Sequence, residues 1–157
     1  MAIYVSVIGA GEASAEVLAQ AEAVGRGLAQ AGAVLVCGGR GGVMEAASRG
    51  ASEAGGVAVG LLPDPDRAQA NPFLTVSIPT GMGELRNGLV ARAGDAVIAI
   101  GGEFGTLSEI GFALKLGRPV VGLGTWELSR GGQPVNAIEL ASTPEHAVAR
   151  ALALARR

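Results

Sequence analysis

The sequence predicts one α/β domain built on a doubly wound, mostly parallel sheet. Three observations carry that reading. The short apolar runs are apolar throughout rather than alternating, as strands covered on both faces are. Between them lie stretches whose apolar residues recur at helical spacing. Glycine clusters close successive runs at Gly9–Gly11, Gly38–Gly42 and Gly101–Gly105. At 157 residues the chain has the length of a single domain, spanning 1–157, with enough residues to bury a large core.

Ile3–Ile8 is apolar and β-branched and breaks at Gly9-Ala10-Gly11. Val17, Leu18, Ala21, Val24 and Leu28 then mark a helix over Ala15–Ala31, with Ser14 as N-cap and Gly32 as its stop. Ala33–Cys37 reads as a second strand. Val43–Ala54 reads as a second helix, with Ala47, Ala51 and Ala54 on one face, and Val57–Leu62 as a third strand. A proline-bearing loop, Pro63 to Pro72, leads to a fourth strand at Phe73–Ile78. Gly83–Ala93 is expected to be helical, with Leu85, Leu89 and Val90 inward. Asp95–Ile100 is a strand, Thr106–Leu116 a helix stopped by Gly117 and Pro119, and Val120–Leu123 a further strand. Thr143-Pro144 places threonine at N-cap and proline at N1 of a last helix, whose inner face is Ala147, Val148, Ala151, Leu152 and Ala155. Strands separated by helices imply right-handed crossovers and a Rossmann-like domain, whose ligands bind beyond the C-terminal strand ends where the strand order reverses.

Composition narrows the function. The formal charge of −2 supplies no basic field, so nucleic acid is not an expected partner. Only five residues are Phe, Trp or Tyr, which leaves the packing to Ala, Val and Leu. Cys37 is the only cysteine, so neither an internal disulfide nor a cysteine metal cluster can form, and a small apolar role in a strand is expected of it. The N-terminus lacks the basic start and cleavage site of a signal peptide. No apolar run approaches the ~20 residues of a membrane span. A cytoplasmic protein is the expectation, with no membrane partner.

The glycine loops differ in what they offer. Gly9-Ala10-Gly11-Glu12-Ala13-Ser14 has two glycines of a dinucleotide fingerprint but serine where the third belongs, and no acid follows at the tip of the second strand. It is either a plain strand-to-helix turn or one wall of a shared cleft. Gly38-Gly39-Arg40-Gly41-Gly42 lets backbone approach a ligand closely, feeds a helix N-terminus and carries the charge of Arg40; anion binding and a mere connector are the two readings. No Gly-Lys-Ser/Thr follows, so it is not a Walker loop.

Residues 95–109, Asp-Ala-Val-Ile-Ala-Ile-Gly-Gly-Glu-Phe-Gly-Thr-Leu-Ser-Glu, form the strongest signal. Strand, glycine loop and helix start together aim N–H groups at a phosphate, with Gly101, Gly102, Gly105 and Thr106 as its binding residues. Thr106 and Glu109 also match a capping box, so the Glu109 carboxylate either caps the helix or does chemistry. Glu103 repels a phosphate in the same loop: it points to solvent, binds a bridging cation, or marks a ligand other than a simple phosphate. Arg86 is a surface arginine or, given Gly81, Gly83 and Gly88 around it, part of a close-approach region. No metal site is expected, since Asp64 and Asp66 flank Pro65 as turn formers do. His146, the sole histidine, is expected in solvent and has no place in a serine triad. Trp126 packs at a subunit contact or over a ligand.

Two of these segments resemble a known superfamily. Val36-Cys37-Gly38-Gly39-Arg40-Gly41-Gly42-Val43-Met44 is similar to the GGGxxGLM loop of the Lonely guy proteins, one residue shorter, and Gly101–Glu109 is similar to their PGGxGTxxE motif. Arg86 stands at a similar distance before that motif as the arginine of their RK pair. The resemblance spans roughly residues 3–123. It implies a phosphoribohydrolase that frees a base from a nucleoside 5′-monophosphate without a cofactor, with Arg86 and Glu109 catalytic. The chain departs from the pattern at Gly101 for proline, Glu103 for glycine and Asn87 for lysine. Those forms look more like the short bacterial branch of this superfamily, often called SLOG, that is related to molybdenum cofactor carrier proteins.

That branch implies a protein that holds the molybdenum cofactor, a pterin phosphate, and does not turn it over; the glycine loops themselves suit any phosphate-bearing small molecule, a nucleoside monophosphate included. The candidate binding residues, taken from the three glycine loops, are Gly9, Gly11, Gly38, Gly39, Arg40, Gly41, Gly42, Gly101, Gly102, Gly105 and Thr106. A homo-oligomer, dimer or tetramer, is implied as well. Relatives are often labelled lysine decarboxylases. A pyridoxal enzyme needs a Schiff-base lysine, and the only lysine, Lys115, falls in the last turn of a predicted helix, where it complements the helix dipole.

Overall fold

A computed structural model describes residues 1–156. Seven strands, β1 (Tyr4–Gly9), β2 (Val34–Cys37), β3 (Ala58–Leu62), β4 (Val76–Pro79), β5 (Ala96–Ile100), β6 (Val120–Leu123) and β9 (Ile138–Ala141), form one sheet in the order β4-β3-β2-β1-β5-β6-β9. All six ladders in it are parallel. A separate antiparallel hairpin, β7 (Leu128–Arg130) and β8 (Gln133–Val135), lies between β6 and β9 in the chain. The helices are α1 (Ala15–Gln30), α2 (Val43–Glu53), α3 (Asn87–Ala93), α4 (Phe104–Lys115) and α5 (Pro144–Ala155).

The core follows from the strand period of two. On β5, Ala96, Ile98 and Ile100 join the core shared with α1, α2 and α5, while Val97 and Ala99 face the second core with Val90 and Ala91 of α3 and Ile110 and Ala113 of α4. All five β5 residues are therefore buried, which is why the run is apolar throughout. The predicted caps hold: Ser14 Oγ accepts from Val17 N at 3.3 Å, and Thr143 Oγ1 accepts from His146 N at 3.1 Å. Packing of α1 on α2 requires glycine at the crossing. A Cβ on Gly25 would sit 1.9 Å from the Ala47 carbonyl oxygen, and one on Gly50 would sit 2.0 Å from that of Glu22.

Two expectations need correction. The helix expected over Gly83–Ala93 is a short 3₁₀ turn, Gly83–Arg86, followed by α3, and of the residues expected inward only Val90 is buried; Leu85 is 75 % exposed and Leu89 37 %. The fourth strand is confined to Val76–Pro79, since Thr75 spends its N–H and its Oγ1 on the Ala58 backbone. The seventh sheet strand, β9, and the hairpin were not anticipated. Ile138–Ala141 carries Glu139 and is half-buried, so its apolar signal is weak.

Candidate functional site

The strand order reverses between β1 and β5: from β1 the sheet grows through β2, β3 and β4 on one side, and from β5 through β6 and β9 on the other. The loops leaving these two neighbouring strands diverge, and the crevice between them is where a doubly wound sheet holds its ligand. A cavity of about 460 Å³ opens there, lined by Gly9, Ala10, Gly11, Glu12, Met44, Arg86, Asn87, Glu103, Gly105, Thr106 and Glu109.

Helix α4 turns its N-terminus to this cavity. The chain leaves β5 through Gly101 and Gly102 at φ +53° and +110°, and the helix begins after an extended Glu103. Leu107 N makes the first intrahelical bond, to Glu103 O, so the preceding N–H groups of the first turn, at Gly105 and Thr106 among others, remain open to a ligand. This start overturns the capping-box reading. Glu103, not Thr106, is the N-cap residue, and its side chain makes no capping bond. Helix growth begins a turn earlier because the glycine pair reverses the chain before Phe104, which leaves Glu109 well inside the helix on its inner face.

Glu109 is 6 % exposed, and Arg86, which closes the 3₁₀ turn, is 8 % exposed. Arg86 Nη2 donates to the Gly38 carbonyl at 3.2 Å and Nη1 to Asn87 Oδ1 at 2.7 Å; its buried Nε has no partner. Among the described residues no ion pair joins Arg86 to Glu109, although each feels the other's charge. Burial pushes the Glu109 carboxyl up to about 8, against the pull of the Arg86 guanidinium. At neutral pH this side chain is therefore an uncharged hydrogen-bond donor as well as acceptor. Burial lowers the affinity of Arg86 for its proton, with Glu109 acting the other way.

The structure divides the residues singled out in the sequence. Gly9, Gly11, Arg86, Gly105, Thr106 and Glu109 meet on the one cavity. Gly101 and Gly102 line a neighbouring hollow of about 340 Å³ with Glu103, Gly124, Thr125 and Trp126. Gly38, Gly39, Arg40, Gly41 and Gly42 are not among the residues that line this cavity, but Gly38 O accepts a bond from Arg86, which does line it. A Cβ on Gly42 would fall 2.3 Å from the Ala10 carbonyl oxygen, so this loop packs under the first one. Asn71 fastens it through bonds to the carbonyls of Gly39 and Arg40, and Arg40 Nη1 reaches Asp64 Oδ1 at 3.5 Å. Trp126 Nε1 donates to Glu103 O at 3.3 Å, and its ring lies 5.7 Å from that of Phe104. Cys37 is fully buried and burial raises its thiol. Lys115 is exposed in the last turn of α4, as expected. Glu12 and Met44 were not among the predicted site residues. Glu12 adjoins Gly11 and was legible as a neighbour; Met44 reaches the cavity only because α2 tucks against β1.

The fold is that of the Lonely guy and SLOG Rossmann-like superfamily. A family model described as the SLOG cluster4 family matches residues 2–150, and the chain belongs to that family. A protein of Archaeoglobus fulgidus is 40 % identical over 146 residues, 93 % of this chain and 92 % of that one. The molybdenum cofactor binding protein from the phototrophic bacterium Rippkaea orientalis superposes with a TM-score of 0.88 at 33 % identity, covering 98 % of both chains. The molybdenum cofactor carrier protein of Chlamydomonas reinhardtii superposes with a TM-score of 0.85 at 29 % identity over the full length of both. No described helix is long and apolar enough to cross a membrane, and among the described residues no group of three or more His, Cys, Asp or Glu side chains is placed to hold a metal ion.

Proposed function

We propose that this protein binds a phosphate-bearing pterin, the molybdenum cofactor, at the β1–β5 crevice and carries it without chemical change. The observation that supports this most is the convergence of the Gly9–Gly11 turn, the open first turn of α4 at Gly105–Thr106, and buried Arg86 on one cavity. The open N–H groups and helix dipole suit a phosphate. Glu12 and Glu103, also on the cavity, oppose a bare phosphate but suit a ligand with N–H donors beside its phosphate, as a pterin has. The likeness to cofactor-binding and cofactor-carrier structures supports the same assignment.

Phosphoribohydrolase action is the second reading, and Glu109 is the observation that favours it. A carboxyl held near 8 beside an arginine can protonate a departing base. The same neutrality withholds the negative charge that an oxocarbenium-like centre calls for, which places binding ahead of turnover. The two readings separate in one pair of assays. Molybdenum cofactor released from a molybdoenzyme is mixed with the protein, passed over gel filtration, and its pterin read by fluorescence after oxidation. Retention by the wild type, lost in Arg86→Ala, is expected. AMP and N6-substituted AMP are incubated in parallel; no free base is expected. Base release that vanishes in Glu109→Ala would establish the hydrolase instead, and neither retention nor release would sink both readings.

A further inference from the structure

The loops that leave β5 and β6 enclose the neighbouring hollow of about 340 Å³, walled by Gly101, Gly102, Glu103, Gly124, Thr125 and Trp126. Glu103 is the one residue that lines both this hollow and the crevice, so the two spaces meet there. The walls are tied together: Thr125 Oγ1 donates to the Gly101 carbonyl at 2.5 Å, and Trp126 Nε1 to the Glu103 carbonyl at 3.3 Å. A Cβ on Gly124 would meet no atom within 4 Å, and one on Gly101 would meet only Val17 Cγ1 at 3.8 Å, so glycine at these positions keeps the space open.

Two features give the hollow a chemistry. The first is aromatic. The chain has only five Phe, Trp and Tyr residues, and two of them, Trp126 and Phe104, stand here with ring centroids 5.7 Å apart. The indole spends its one polar hydrogen on Glu103 O, which leaves its face for stacking. The second is the Glu103 carboxylate. It is exposed, makes no capping bond and, among the described residues, joins no ion pair. Leu107 N and Trp126 Nε1 both bond its carbonyl, which fixes the residue beside the indole. The two acceptor oxygens of a carboxylate match two adjacent donors. The 2-amino-4-oxo edge common to pterins and guanine offers that pair, a ring N–H next to an exocyclic amine. Adenine offers a donor next to an acceptor.

We propose that this hollow is the ring subsite of the crevice. A bicyclic 2-amino-4-oxo ring lies against Trp126 and pairs through its two donors with Glu103, while its phosphate sits on the first turn of α4. The proposal rests on the phosphate site proposed above and not on carriage. It gives a use to the carboxylate that opposes a bare phosphate in this loop.

Trp126 is the only tryptophan, so its fluorescence reports the event. GMP, IMP, AMP and inorganic phosphate are titrated into the purified protein. GMP is expected to quench to saturation. IMP keeps the ring N–H but lacks the amine; it should bind about tenfold more weakly, and AMP more weakly still. Inorganic phosphate should displace GMP and reverse the quench without causing one. Glu103→Gln changes an exposed side chain and should leave the melting temperature unchanged. In it the preference for GMP over AMP is expected to vanish, while inorganic phosphate binds no more weakly because a repelling charge has gone. A merely structural Glu103 would weaken every probe alike, and that result overturns the proposal. The second arm is molybdenum cofactor, whose retention by Glu103→Gln should fall about tenfold below wild type. Retention that Glu103→Gln leaves unchanged overturns the subsite and leaves the carrier reading standing. Selective quenching by GMP with no cofactor retained supports the subsite and sinks the carrier reading. GMP that fails to quench, or AMP that quenches as strongly, overturns the subsite whatever the cofactor does.

Discussion

Glu109 is the residue on which the chemistry turns. Spacing from Thr106 suggested a helix cap; the structure instead buries the carboxyl in a cavity beside Arg86. Its folded-state pKa, about 8, lies above the ordinary 4.5. Below pH 4.5 both folded and unfolded chains hold the proton, and the group makes no pH-dependent contribution. Between 4.5 and 8 only the folded chain holds it, so stability falls as pH rises, by at most about 1.4 kcal/mol per pH unit. Denaturant titrations of wild type and Glu109→Gln from pH 4 to 9 should therefore diverge, the variant lacking this part of the slope and gaining relative stability toward pH 8. Parallel curves would show that Glu109 is ionised at neutral pH. Arg86 holds the Glu109 carboxyl below the value that burial alone would set. Arg86→Met should accordingly move the Glu109 titration, followed by carbon NMR of the carboxyl, further upward. In the sequence Arg86 stood out by its glycine neighbours and its motif distance, and Glu109 by its place after the glycine loop. Their burial, the Arg86 bond to Gly38 O and the absence of an ion pair between them all depend on how α3 and α4 pack.

At the scale of elements, local rules succeeded where the signal was local. Ser14 and Thr143 cap α1 and α5 because a short hydroxyl side chain satisfies an N–H that the first turn leaves open. Ser14→Ala and Thr143→Ala should each cost about 1 kcal/mol in urea unfolding, with an unchanged m-value. Local rules failed where packing chose. Leu85 reads as an inward helical residue, yet the 3₁₀ turn that brings Arg86 under the Gly38 loop throws Leu85 out to solvent. Glycine ordinarily weakens a helix interior, but Gly25 and Gly50 let α1 and α2 touch backbone to backbone. Gly25→Ala should cost about 1–3 kcal/mol, because the new methyl meets the Ala47 carbonyl rather than a movable side chain. A thermal melt unchanged within 1 °C would refute that reading of the crossing.

Across the whole molecule, stability is expected to be graded from the sheet centre outward. β1 and β5 are paired on both edges and covered by both cores, whereas the β7–β8 hairpin is joined to no other strand. Amide exchange should be slowest at Val5–Ile8 and Ala96–Ile100 and fastest across Leu128–Val135. Equal protection in the two regions would contradict this. The doubly wound class was readable from the chain because a strand buried on both faces must be apolar at every position, and a helix on such a sheet must show one apolar stripe. Both are properties of consecutive residues, as are the glycine turns that end the strands. Which strands became neighbours was not readable, since parallel pairing joins segments far apart in the chain and leaves no local trace. That pairing sets β1 beside β5 and brings Gly9–Glu12, Arg86 and Gly105–Glu109 to one crevice, which the Gly38–Gly42 loop, the more glycine-rich of the candidates, adjoins through the Gly38 carbonyl that holds Arg86. The sequence by itself determined the strands, the helices and the residues with chemistry to offer. The tertiary structure alone decided which of those residues share a cavity and which carboxyl loses its charge, because both depend on desolvation by parts of the chain remote in sequence.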